Sequence, residues 1–91
     1  MAGIKVERPD AEKLHKMNVK TWPIWEKEIS KFDWYYDSKE ICYILEGEVE
    51  VHCSGGDVVK FQAGDLVTFS KGLNCVWDIK KAVRKHYNFE D

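Results

Sequence analysis

The chain has 91 residues, enough for one domain with a packed core but a large share of its atoms at the surface. With 44% apolar and 33% charged residues it has the balance of an ordinary soluble globular protein, not of a disordered or membrane chain. A net charge of −2 leaves no basic footprint for nucleic acid, and no apolar run approaches the roughly 18 residues of a membrane span, so neither is an expected partner.

The opening stretch, residues 1–14, mixes charges early and lacks the apolar run of a signal peptide. Cys42, Cys53 and Cys75 are an odd number of thiols with no CxxC or Cys/His spacing, which argues against a disulfide framework or a structural zinc. Together these features predict a cytoplasmic setting, or an organellar one reached by a transit peptide since removed. Pro9, followed by acidic residues and by Leu14 and Met17 three apart, predicts a short helix over 9–17, with Asn18 as its stop.

From Trp22 onward the texture is that of strands. Segments 24–29 and 31–36 are rich in aromatic and β-branched residues, with Asp37-Ser38-Lys39 as a turn. Strands are expected over 40–46 and 48–53, flanking a tight turn at Gly47, and Ser54-Gly55-Gly56-Asp57 is a strong hairpin signal. Further strands are expected over 58–62, 66–69, 75–79 and 84–89, with turns at 63–65 and 70–74. Many short strands with turns every eight to twelve residues predict an all-β sandwich or barrel. Residues 1–21 read as an N-terminal segment with its helix, and 22–91 as a single barrel.

Two half-motifs sit on this framework: Glu40-x6-Gly47, and Gly64-x5-Ser70-x-Gly72-x2-Cys75. In order and spacing they resemble the double signature of the cupins, with sixteen residues between Gly47 and Gly64. In that signature a His-x-His pair precedes the glutamate and a further His ends the second motif. Here those three places hold Trp34, Tyr36 and Cys75. The stretch from Trp22 to Val51, the GDLVTFSKGLNCVW run and the RKHYNF run also resemble very small RmlC-like single-barrel cupins related to (S)-ureidoglycine aminohydrolase. The resemblance implies a small antiparallel cupin barrel, a double-stranded β-helix or jelly roll, with Glu40 pointing inward.

Strand alternation then carries Cys42 and Ile44 inward with Glu40, and brings Trp34, Tyr36, Cys75 and Trp77 to the same interior, with His86 as a further candidate. An eight-stranded barrel has room for side chains or one small ligand. A transition metal wants imidazole, thiolate or carboxylate donors in number, and this lining is poor in them, so no metal cofactor is expected. Glu40, Cys75 and His86 are the side chains that a divalent ion would use. His15 and His52 are expected at the surface.

Three functions remain open. One is a hydrolase or isomerase acting on a small polar metabolite, like ureidoglycine aminohydrolase by resemblance. Glu40 would be its acid/base and Tyr36 an orienting hydroxyl, with Cys75 a nucleophile if His86 serves as its base. The second is a metal-free pocket whose walls, Trp34, Cys42, Trp77 and His86, bind a small ligand without catalysis. The third is a structural barrel that pairs as a homodimer through the outward residues Tyr35, Tyr43 and Leu45.

Overall fold

The computed structural model describes residues 3–90. Seven strands form one antiparallel sheet that wraps on itself: β1 (Ile4–Glu7), β2 (Ile24–Lys27), β3 (Lys31–Tyr35), β4 (Lys39–Cys53), β5 (Val58–Gln62), β6 (Leu66–Phe69) and β7 (Asn74–Glu90). Helix α1 (Ala11–Lys16) and a single 3-10 turn (Val19–Thr21) lie between β1 and β2. The strand order is β1-β6-β4-β7-β2, with β3 added on β7 and β5 added on β4. The all-β cupin barrel expected from the sequence is the fold observed. Among the described residues, no helix is long and apolar enough to cross a membrane.

The helix is shorter than the expected 9–17. Asp10 caps it, its carboxylate accepting from the Lys13 amide at 2.9 Å, so Pro9 falls outside the helix. Strand β1 was not foreseen from the sequence. Its four residues pair with β6, Ile4 opposite Phe69, and Ile4 is buried in the core.

Two expected pairs of strands are each one continuous strand. β7 runs unbroken through the expected gap between 79 and 84, and β4 runs through Gly47 without turning. Gly47 is instead where the β4–β7 register shifts. Its φ is 109°, and an added Cβ would lie 2.6 Å from the Ala82 carbonyl oxygen, so only glycine fits there. The irregularity changes which positions face inward. Before it Glu40, Cys42 and Ile44 are buried; after it Val49, Val51 and Cys53 are. Both halves of β4 therefore face the same core.

The core is built on Trp77. It meets Phe32, Phe61, Phe69 and Trp25 at ring-centre distances of 5.5 to 6.1 Å, and Tyr36 stacks on Phe69 at 4.6 Å. Such ring pairs add stabilisation of about 0.5–1.5 kcal/mol each beyond their buried area. The aromatic richness of the sequence is spent chiefly on packing one end of the barrel.

Candidate functional site

That end holds a cavity of about 180 Å³, room for roughly six liquid waters. Trp25, Phe32, Trp34, Tyr36, Trp77, Tyr87 and Phe89 line it, and its only charged groups are Glu40 and Lys85. Trp34 (41% exposed) and Phe89 (49%) sit at the rim, whereas Tyr36, Glu40, Trp77 and Lys85 are buried. The strands explain this arrangement. Trp34 on β3 lies opposite Cys75 and Phe32 opposite Trp77, while Glu40 on β4 lies opposite Phe89 and Cys42 opposite Tyr87.

The polar centre is an ion pair. Lys85 Nζ donates to Glu40 Oε2 at 2.7 Å, with both side chains almost fully buried. The same ammonium lies 4.7 Å from the ring centre of Trp77 and 4.9 Å from that of Trp25. A buried charge must be paired, and here an opposite charge and two π-faces share the task. No buried side-chain oxygen or nitrogen among the described residues lacks a partner. Glu40 lines the cavity, and the lysine bond engages one of its two oxygens.

Tyr36 accepts a hydrogen bond from Trp77 Nε1 at 3.1 Å. Burial, reinforced by the negative charge of Glu40, holds the phenol far above its ordinary pKa, so its hydroxyl keeps its proton and remains a donor. Cys42 lies beside Glu40 on the inner face but is packed behind the cavity wall. Burial pushes its thiol up to about 12, against the pull of Lys85.

The expected site residues divide. Glu40, Tyr36, Trp34 and Trp77 come together as the alternation required. Cys75 does not line this cavity. It borders a separate groove with Trp34, Cys53 and His52, and its thiol donates to the Trp34 carbonyl at 3.6 Å. Burial, then the neighbouring Cys53, pushes the Cys75 thiol up to about 11. Among the described residues no neighbouring cation lowers it, which is the opposite of what a nucleophilic cysteine needs.

His86 is displaced further. It stands on the outer face of β7, where Nδ1 donates to the Trp22 carbonyl at 2.9 Å, and it borders a groove formed by α1, the 3-10 turn, Tyr43 and Leu45. The Cys75–His86 pair is thus not formed, and the N-terminal segment flanks the face where Tyr43 and Leu45 point. Lys85, one residue earlier, takes the inward place. The pattern Val83-x-Lys85-x-Tyr87-x-Phe89 carries the signal, but a lysine between apolar residues reads as a surface position unless its carboxylate partner is known.

The cavity's donor set does not suit a transition metal. Its single carboxylate is held by an ammonium, the Tyr36 phenol keeps its proton, and no imidazole or thiol lines it among the described residues. Elsewhere, His52 joins Glu50 and Asp78 on the outer face of β4 and β7, with ligand atoms within 4.8 Å of one another. Lys80 already occupies Asp78 at 2.8 Å.

The relatives agree with the fold. The EutQ-like cupin domain family matches residues 14–87. The chain is 56% identical to a DUF861 family protein from Thermotoga maritima, over 96% of this chain and 99% of that one, with a TM-score of 0.95. The EutQ protein of Clostridium difficile matches at 24% identity over 72% of this chain, with a TM-score of 0.66, and this chain spans only 52% of its length. An RmlC-like cupin from Shewanella frigidimarina shares the fold at 13% identity and a TM-score of 0.55, over 98% of this chain and 77% of that one. No match was found among proteins of curated function. A match over most of the chain, joined to this barrel and its two half-motifs, places the chain in the EutQ-like cupin domain family.

Proposed function

We propose that this protein is a metal-free small-molecule-binding barrel, and that the ligand enters the aromatic cavity and docks on the Glu40–Lys85 pair. The observation that carries this reading is a buried carboxylate–ammonium contact of 2.7 Å at the foot of an open aromatic cavity. An ion pair is a poor way to stabilise a core, because apolar residues of similar volume do as well or better. Convergent polar groups in an apolar concavity are the ordinary build of a ligand site.

Trp25 and Trp77 flank the lysine, so their fluorescence reports occupancy directly. Titrating single-ring polar compounds should quench or shift that emission in the wild type. Trp34→Ala at the rim should alter the affinity without unfolding the protein. Emission indifferent to every such compound, together with stoichiometric zinc, iron or manganese in the untagged protein, would overturn the reading.

The pair also favours catalysis as a second reading. A proton can pass between the lysine and Glu40 within the cavity, which suits an aminohydrolase-like or isomerase step on a bound metabolite. Turnover surviving in Glu40→Gln would remove that possibility while leaving binding in place.

A further inference from the structure

The cavity presents a donor beside an acceptor. Lys85 has three N–H groups and one is used on Glu40; the other two face ring systems, which are weaker acceptors than a ligand oxygen. Glu40 has one oxygen engaged by the lysine, and its side chain lines the cavity. The pair is neutral as a unit. A carboxylate entering the cavity would meet Glu40 as a like charge, and an ammonium would meet Lys85 as one. Neither ion finds both partners, and desolvating either without full pairing is costly.

We propose that the Glu40–Lys85 pair selects flat, uncharged ligands carrying an amide, urea or lactam edge. The ligand carbonyl accepts a hydrogen bond from Lys85, and the adjacent ligand N–H donates to the Glu40 oxygen that the lysine does not engage. The faces of Trp25, Trp77 and Phe32 hold the planar body, and Trp34 stands at the rim. Both partners of the edge are satisfied at once, which is the arrangement that gives polar sites their largest discrimination. This assignment rests on the cavity being the binding site, and it adds the ligand class.

The test compares three probes with the same ring, benzamide, benzoate and benzylamine, by calorimetric titration and by tryptophan emission. In the wild type benzamide should bind at least tenfold more tightly than either ion. Glu40→Gln removes the like charge while keeping the shape, so it should turn the preference to benzoate. Lys85→Met should turn it to benzylamine. If the single variants do not fold, the double variant Glu40→Gln/Lys85→Met leaves no lone buried charge and should bind benzamide at least tenfold more weakly than the wild type does; benzamide bound as tightly as by the wild type overturns the proposal.

A wild type that favours either ion, or a Glu40→Gln protein that folds and gains nothing for benzoate, overturns the proposal while the cavity stands as a site. Failure of all three probes to bind the wild type overturns this inference, and the cavity reading falls with it when the wider titration also gives no response and the untagged protein carries stoichiometric metal.

Discussion

Lys85 reaches along the inside of the barrel to hold Glu40 at 2.7 Å, although its register partner on β4 is Ile44. Four positions separate Ile44 from Glu40, roughly 13 Å of strand at about 3.3 Å per residue. The long arm of the lysine, the curvature of the sheet and the glutamate side chain together close that gap. Two residues that are not each other's ladder partners thus define the site.

Removing one member of the pair leaves a lone buried charge. Glu40→Gln or Lys85→Met should each lower the unfolding free energy by about 3–5 kcal/mol at neutral pH, whereas the double variant should lie within about 1–2 kcal/mol of wild type or above it. Urea denaturation of all four proteins gives the coupling energy. Additive losses would show that the two charges do not depend on one another.

Stability should fall in alkali. Cys42 and Cys75 hold their protons up to about 12 and about 11, raised from an ordinary value of 9.0, and Tyr36 is raised as well. In the unfolded chain the thiols ionise near pH 9. The stabilisation is therefore complete below pH 9 and is lost as pH climbs toward the folded values. Melting temperatures should be level from pH 7 to 9 and decline from 9 to 12. Alkylation by iodoacetamide at pH 7.5 should be slow at all three cysteines, and fast labelling of Cys75 would contradict its assignment as an inert thiol.

Tyr36→Phe strips the acceptor from the Trp77 indole and leaves a buried N–H unpaired, so it should cost about 1–3 kcal/mol. Trp77→Ala removes the donor and opens a void among Trp25, Phe32, Phe61 and Phe69; its loss should exceed that of Tyr36→Phe, at about 3–5 kcal/mol. Chemical denaturation measures both, and the reverse ranking would mean that the hydrogen bond outweighs the packing.

Gly47→Ala and Gly56→Ala separate strain from collision. Both glycines have positive φ, 109° and 101°, but only at Gly47 would the new Cβ meet backbone, while Gly56 faces open space. Gly56→Ala should lose about 1–2 kcal/mol of strain energy. Gly47→Ala should lose clearly more, as thermal denaturation will show.

Much of the barrel was legible because alternation and turn chemistry are local. The Ser54–Asp57 hairpin follows from its glycine-marked turn, whereas the inward placing of Trp34, Tyr36 and Glu40 comes from the cupin resemblance, with the spacing of two adding their same-face neighbours, Trp77 among them. The misses are long-range. Whether His86 or Lys85 faces inward depends on where β7 begins its alternation, and reading it as two strands left that phase undetermined. Lysine also reads as solvated unless its carboxylate is visible, and Glu40 is distant in sequence. Strand β1 was hidden because Ile4-Lys5-Val6-Glu7 is short and its only partner is β6.

Gly47 has a consequence for what chemistry the chain can display. As an irregularity within one unbroken strand, it sets the phase of the site-bearing half of β4 against the packed half. Were β4 regular at that point, with its length unchanged and Val49 and Val51 still packed inward, the whole upstream face would rotate: Ile41, Tyr43 and Leu45 would turn to the interior and Glu40 to water. Straightening that one irregularity would thus blank the pocket without touching any residue in it. Among related barrels the spacing between this glutamate and the next inward valine is therefore as informative about function as the identity of the glutamate itself.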